Sequence, residues 1–565
     1  MVNESKVNSL KMTPSRYILS NEANCKYCYK CLRNCPVKAI SFHDNYSYVI
    51  EEECILCGTC VKTCPQHSKN YKSELEHLKN IIGKPFVVSL APSFFGNMEN
   101  PFKILGFLRT MGAIFISETA VGAEFVTNEY IGFFSNTEGP VITTSCPVIV
   151  KLVEIYFPRL VNYLFPFVSP AIAHAKFLSH LFGSIPKVFI GPCIAKKEEL
   201  EKDYDIILTF EELSYFLSER AIDISQYQDR YPDAPYPDRG RMYPVSGGII
   251  FSTNHEPYQH LILEGTRNIM DFFEKFSLDT TDKIIIEASA CVGSCLNGPA
   301  SNNSLNLLQK KQKLKLALQT IESQKNADKK SVKILGSQNV TLNLNKSFSN
   351  KSRNFEILEK DIEKILLSMG KDTKEKELDC TGCGYETCRD KAKAVYLNKA
   401  EKEMCFAYLV EKVSSVSNKV VDESPNAIII FKDKEILYVN PSARKLFQNY
   451  ENEKIVEICE KIHKDGERLH ELYINGRTMY FYPKAFSLPD ESGKVLLLVD
   501  LTELILQKEQ MNEIKRRTIE KIEEVLNNQM KLAQDIASIL GESIAETKSH
   551  FLEFKKYMGE DHADL

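Results

Sequence analysis

Sixteen of the seventeen cysteines in this 565-residue chain fall into four sets, and the spacing within them dictates much of what the backbone can do. Two sets repeat one run, Cys25-x2-Cys28-x2-Cys31-x3-Cys35-Pro36 and Cys54-x2-Cys57-x2-Cys60-x3-Cys64-Pro65. Thiolates so close together on a tight loop reach three corners of one iron–sulfur cube. Zinc is the alternative, but it usually takes its four ligands as two spaced pairs. A further set, Cys380-x2-Cys383-x4-Cys388-x16-Cys405, puts three ligands on a glycine-containing loop. Its fourth is expected on a helix over Lys391–Met404, with zinc again the alternative. Cys146, Cys193, Cys291 and Cys295 are so unequally separated that only tertiary structure could gather them.

Length allows about three to five domains. The chain is 43% hydrophobic and 26% charged, with a formal net charge of -4, which gives no reason to expect nucleic acid or an anionic membrane as partner. The N-terminal residues lack the apolar core of a signal peptide, and no membrane span is expected. CxxC arrays without a secretion signal favour thiolate ligands in a reducing cytoplasm over disulfides. From about Phe86 to Pro299 short apolar runs alternate with helical patterns. Phe86–Pro92, Val188–Pro192, Asp205–Thr209 and Lys283–Glu287 read as strands, so parallel sheets with crossover helices are expected. Cys146 and Cys193 lie just beyond apolar runs, where ligands gather in such folds. The expected class is multidomain α/β and α+β.

The doubled run resembles bacterial ferredoxins, in which the fourth cysteine of each run ligates the other cluster. That resemblance implies one 4Fe–4S cluster on Cys25, Cys28, Cys31 and Cys64, and another on Cys54, Cys57, Cys60 and Cys35. The segments Thr143–Pro147, Gly191–Glu199 and Glu287–Pro299 together resemble the three-part signature of FeFe hydrogenases. The resemblance implies that Cys146, Cys193, Cys291 and Cys295 hold a cube, and that Cys295 bridges to a diiron unit to complete an H-cluster. Lys196 would donate to a cyanide on that unit. Ala91, Pro92, Ser93 and Pro192 would line it, and Phe251 would cover it. The departures matter equally. Prototypical members carry a proton-shuttling cysteine where this chain has Ser145, and a hydroxyl is a far weaker acid than a thiol of pKa about 8.5. Asn128–Phe134 is mostly apolar where two glutamates are expected. Gly191 and Ser289 replace methionines, and Ala171 replaces a glutamine. The pattern is closest to the sensory branch of the family. The Cys380–Cys405 set resembles a helical 4Fe–4S domain, bringing the count to three 4Fe–4S clusters plus the H-cluster.

Ser424–Phe431, Ile436–Ala443 and Val495–Glu503 resemble a PAS domain, including a strand–Asn440-Pro441–helix step and a terminal Asp500-Leu501-Thr502-Glu503. His463 and His470 read as surface histidines, and Cys459 as a buried small residue. Ile514, Ile519, Ile522, Val525, Leu526 and Met530 recur at helical steps and read as a dimer seam. The expected organisation is an N-terminal segment (1–20), a dicluster domain (21–75), an H-cluster domain (84–370, a linker from about 305), a 4Fe–4S domain (371–420), a PAS domain (421–504) and a C-terminal helix (505–565). The 4Fe–4S domain is expected to join the H-cluster domain directly to the PAS domain. The reading is a low-turnover H2 sensor acting on H2 and protons. It would work as a homodimer through the PAS domain and C-terminal helix, and signal to a separate kinase or phosphatase. A catalytic hydrogenase exchanging electrons with ferredoxin or another redox carrier is one alternative, and a non-catalytic iron–sulfur carrier or scaffold another.

Overall fold

The computed structural model describes residues 12–43, 46–135, 139–253, 258–277, 283–302, 304–327, 340–353, 355–489 and 493–557. The chain divides into two compact units, one running to Leu409 and the other starting at Val410. Among the described residues no helix is long and apolar enough to cross a membrane.

The first unit opens with β1 (Ile18–Ser20), the hairpin β2 (Ile40–His43) and β3 (Tyr46–Val49), and β4 (Lys69–Tyr71), which pairs antiparallel with β1. The helices Lys30–Asn34 and Thr59–Thr63 occupy equivalent places in the two cysteine runs. Each starts from a left-handed residue, Tyr29 (φ 56) or Gly58 (φ 75), so the chain turns sharply around the thiols. Next come β5 (Phe86–Leu90), β6 (Ala113–Glu118), β7 (Val141–Ile142), β8 (Lys187–Gly191), β9 (Ile206–Thr209), β10 (Gln259–Glu264) and β11 (Ile284–Ser289). They form two parallel sheets, ordered β6-β5-β8-β9 and β10-β11-β7. Every residue of β5 is buried, as continuous apolar strands of a parallel sheet require.

The stretch expected to link from about 305 is in part packed structure. The helix Leu307–Ala327 buries Leu314, Ala317 and Ile321 in the core around the four-stranded sheet, because those residues share one face at steps of three and four. Val168 N–H then bonds to the Leu344 carbonyl (2.9 Å) and Lys346 N–H to that of Pro166 (2.9 Å), so the chain returns to the same body. The helix expected over Lys391–Met404 runs instead from Cys388 to Tyr396. Asn398 takes φ 54, a left-handed conformation that asparagine tolerates, and the helix cannot pass it. Cys405 follows a short 3₁₀ turn, Lys402–Met404, and precedes the helix Phe406–Asp422.

The second unit holds β12 (Ala427–Lys432), β13 (Glu435–Val439), β14 (His470–Ile474), β15 (Arg477–Ser487) and β16 (Lys494–Asp500) in one antiparallel sheet, ordered β13-β12-β16-β15-β14. Ile429, Phe431, Leu496 and Leu498 meet Phe447, Ile455, Cys459 and Ile462 from the helical side. Asn440 caps the helix Pro441–Leu446 by accepting from Ala443 N–H (2.9 Å), while its amide donates to the carbonyls of Val421 and Asn426 (3.0 Å each). His463, expected at the surface, is half-buried because its helix packs on the sheet, and its Nδ1 meets no partner. The helix Thr502–Tyr557 comes last, with Ile514, Ile519, Ile522, Val525, Leu526 and Met530 all exposed.

Candidate metal centres

Three cavities of the first unit are each lined by four cysteines. Cys25, Cys28, Cys31 and Cys64 share one with Tyr29, Phe42 and Lys69. Cys35, Cys54, Cys57 and Cys60 share another with Ile18, Val37, Ile40 and Val49. Cys380, Cys383, Cys388 and Cys405 share the third with Tyr385 and Lys391. The fold thus crosses the two runs over, Cys64 meeting the first and Cys35 the second. Burial pushes the Cys31 and Cys35 thiols up to about 11 and raises those of Cys54 and Cys60 as well. Free thiols so placed are inert, and a bound metal is what would hold them as thiolates. Lys391, buried beside Cys383 and Cys405, is lowered to about 8. Four cysteines around one hollow are the lining that a 4Fe–4S cube takes.

The fourth set comes together from separate elements. Cys146 opens the helix Pro147–Tyr156, Cys193 lies just past β8, and Cys291 and Cys295 lie on the loop after β11, where Gly293 (φ 84) and Ser294 (φ 55) turn left-handed. Burial raises all four thiols, those of Cys193 and Cys295 to about 12; Cys146 adds to the rise at Cys193, Cys146 and Cys193 to that at Cys295, and all three to that at Cys291. Lys196 pulls three of them, Cys146, Cys193 and Cys295, back down. Its Nζ donates to Ser169 Oγ (3.0 Å) and pairs with the Glu199 carboxylate.

Ala91, Pro92, Ser93 and Pro192 are buried. The hydroxyls of Ser93 and Ser145 are buried without a hydrogen-bond partner, Tyr130 being a polar neighbour of Ser145. Orphaned hydroxyls are rare in proteins, and these two stand where a bound polar group would satisfy them. Phe251 is 70% exposed while Ile249 and Ile250 beside it are buried, and Glu287 holds this turn by its backbone, accepting the amides of Gly247, Ile249 and Ile250 (2.9–3.0 Å).

Sequence reasoning passed over Glu199, Ser169 and Glu287. Glu199 had a signal, an acid three residues beyond Lys196 on one helical turn. Glu287 had another, a lone acid ending an apolar strand; burial raises it to about 7 against those three amide hydrogen bonds. Ser169 is 27 residues from Lys196 and had none.

The Cys380–Cys405 site also departs from expectation, since it rests on the N-terminal dicluster region. Arg33 donates to the Gly382 carbonyl (3.4 Å), Phe42 N–H to that of Lys399 (2.9 Å), and Lys399 pairs with Glu53. A Cβ on Gly384 would stand 3.1 Å from Leu32 Cγ. The short gap between Cys388 and Cys405 folds back on itself, Lys399 N–H bonding to the Ala394 carbonyl (2.8 Å), which turns the Lys399 carbonyl to Phe42.

Residues 84–299 match the profile of the iron only hydrogenase large subunit, C-terminal domain. Residues 17–65 match a 4Fe–4S dicluster domain and residues 377–406 an Fe–S cluster profile. The chain is similar to iron hydrogenase 1 of Clostridium pasteurianum, 23% identical over 40% of this chain and 52% of that protein. It is likewise similar to an NADP-reducing hydrogenase subunit of Solidesulfovibrio fructosivorans, 23% identical over 51% of this chain and 58% of that one. The chain therefore spans little more than half the length of these curated relatives. A solved FeFe hydrogenase from Chlamydomonas reinhardtii, a single-site variant, aligns over 50% of this chain and all of that one, at 15% identity and a TM-score of 0.37. Residues 84–299 are thus an FeFe-hydrogenase-like domain, with iron–sulfur domains on either side of it.

Proposed function

We propose that this chain is a sensory FeFe hydrogenase. It binds or slowly converts H2 (H2 = 2 H+ + 2 e−) and passes redox state through 4Fe–4S clusters to a PAS signalling module. The observation that carries the reading is Ser145, which stands beside Cys146 with its hydroxyl buried and unpartnered. A hydroxyl in that place can neither lose nor return a proton near neutral pH as a thiol can, so turnover is throttled while binding is not.

Cys146, Cys193, Cys291 and Cys295 would hold the cube, with Cys295 bridging to the diiron unit, which when bound supplies the splitting of H2. Glu199 and Ser169 orient the Lys196 ammonium, and a fixed cation of that kind suits a cyanide ligand. Ala91, Pro92, Ser93 and Pro192 exclude water. The helix Pro147–Tyr156, opened by Cys146, packs Val148, Ile149 and Leu152 into the core against which Cys146 and Cys193 lie. The strand order of the second unit, its Asn440 cap, and the Thr502 hydroxyl accepting from Tyr480 N–H (2.9 Å) support a PAS reading. The exposed apolar residues of Thr502–Tyr557 support a homodimer whose helices address a kinase or phosphatase in the cytoplasm.

The test is infrared spectroscopy of anaerobically reconstituted protein given a synthetic diiron cofactor, under H2 and then argon. CO and CN⁻ bands that shift reversibly with H2 support the reading, and the absence of protein-bound bands ends it. Ser145→Cys is expected to raise H2 turnover; an unchanged rate would overturn the role given to Ser145.

A further inference from the structure

The four cysteine sets are not strung along the chain in the order of their sequence. Gly58, between Cys57 and Cys60, presses on the hydrogenase-type domain so closely that a Cβ there would stand 2.7 Å from Pro299 Cβ and 2.8 Å from Ile194 Cδ1. Ile194 adjoins Cys193, and Pro299 lies four residues past Cys295. Lys62 Nζ reaches across the same seam to the Gly298 carbonyl (3.3 Å). A second bridge is the helix Pro147–Tyr156, which starts at Cys146 and ends with the Tyr156 hydroxyl donating to the Glu53 carbonyl (2.7 Å), next to Cys54.

The same dicluster region also carries the Cys380–Cys405 site. Its contacts there are Arg33 on Gly382, Leu32 against Gly384, Lys399 paired with Glu53, and the Lys399 carbonyl on Phe42. Tyr385 is buried close to Cys383 and also to Cys35 and Glu53. Glu53 thus marks a point that both neighbours reach, Tyr156 from the hydrogenase-type domain and Lys399 from the C-terminal site.

We infer that the Cys35–Cys54–Cys57–Cys60 site is a junction: electrons pass between the Cys146–Cys193–Cys291–Cys295 site and the Cys380–Cys383–Cys388–Cys405 site by way of it. Each step oxidises one reduced cube and reduces its neighbour by one electron. H2 supplies two electrons and releases two protons, or a low-potential reductant such as dithionite supplies the electrons. The site that precedes the helix Phe406–Asp422 then reads the hydrogenase-type centre through the N-terminal module, although the order of the domains along the chain would have suggested a direct join. The inference rests on the cluster assignments of the proposed function.

The experiment is electron paramagnetic resonance of the full chain, reconstituted with iron and sulfide and reduced with dithionite, which needs no diiron unit. Cys383→Ala identifies the signal of the C-terminal cube. In the native chain that signal is expected to be broadened by its neighbour in the dicluster region. Lys399→Glu should remove the broadening while iron and sulfide per chain stay unchanged, and Glu53→Lys added to Lys399→Glu should restore it. With the diiron unit installed, H2 should reduce the C-terminal cube in the native chain and much more slowly in Lys399→Glu. An unbroadened native signal, or H2 reduction equally fast in Lys399→Glu, overturns the junction. A count one cube short with the C-terminal signal missing removes the assignment beneath it. A broadened signal that H2 fails to reduce in the native chain speaks against the sensory reading and leaves the junction standing.

Discussion

Two cores of this molecule are closed in different ways. In the second unit Ile429, Phe431, Phe447, Leu496 and Leu498 close on one another, and the lone Cys459 is one more small apolar group among them. In the N-terminal region of the first unit, Cys31, Cys35, Cys54 and Cys60 are part of the core itself, packed beside Ile18, Leu32, Ile40 and Ile55. Hydrocarbon closes the first kind of core without help. A region of roughly 50 residues buries too little surface to do so, and metal is the usual substitute at that size. The difference teaches that buried cysteines carry opposite meanings: one alone is packing, and four around a hollow are a demand for a cofactor.

The largest effect should come from stripping iron. Chelation of the oxidised protein is expected to unfold the first unit and leave the unfolding of the second unmoved, as two calorimetric transitions would report. A shift of both would mean that the second core also depends on the clusters. Next in size is Glu118→Gln. Arg241 and Glu118 pair at 2.6 Å and are 8% and 1% exposed as side chains, so the change takes the buried partner from a cation left only with the more distant, half-exposed Glu322 at 3.6 Å. The expected cost is about 3–5 kcal/mol in urea unfolding of the first unit. Leu496→Ala opens a cavity on a central strand at a residue with no exposure, and should cost the second unit about 2–5 kcal/mol. Its effect on the first unit should be nil.

Acid separates the two units more gently. His174 is fully buried between Ser89 Oγ (2.7 Å) and Ser117 Oγ (3.2 Å), and burial lowers its pKa from 6.5 to about 3. The unfolded chain therefore binds a proton that the folded chain refuses. That stability is whole above about 6.5 and is lost as pH falls toward 3. Between pH 7 and 5 the first unit should lose roughly 2 kcal/mol from this group. Denaturant midpoints at the two pH values measure it, and His174→Gln should flatten the difference.

Some of this was readable before any fold was known. The strands at Phe86, Val188, Ile206 and Ile284 stood out because a strand buried on both faces is a continuous apolar run. The helix Leu307–Ala327 did not, because lysine and glutamine outnumber its core residues and its apolar face declares itself only against a partner. The early end of the helix at Tyr396 turned on one left-handed asparagine, a backbone choice that helical periodicity does not record.

What the sequence determined by itself is local chemistry. Cysteines three residues apart, Cys25, Cys28 and Cys31 or Cys54, Cys57 and Cys60, are held close by covalent spacing, whereas the fold sends Cys35 and Cys64 each to the other run. Ser145 is a hydroxyl in every conformation. Tertiary structure alone decided the rest. It drew Cys146, Cys193, Cys291 and Cys295 from separate elements, oriented Lys196 with Ser169 and Glu199, left Phe251 outside, and seated the Cys380–Cys405 site on the N-terminal region. The physical reason is reach. Covalent spacing constrains groups a few residues apart, whereas a contact such as Lys399 with Glu53, 346 residues apart, exists only because burial of apolar surface, a property of the whole chain, brings the two to one place.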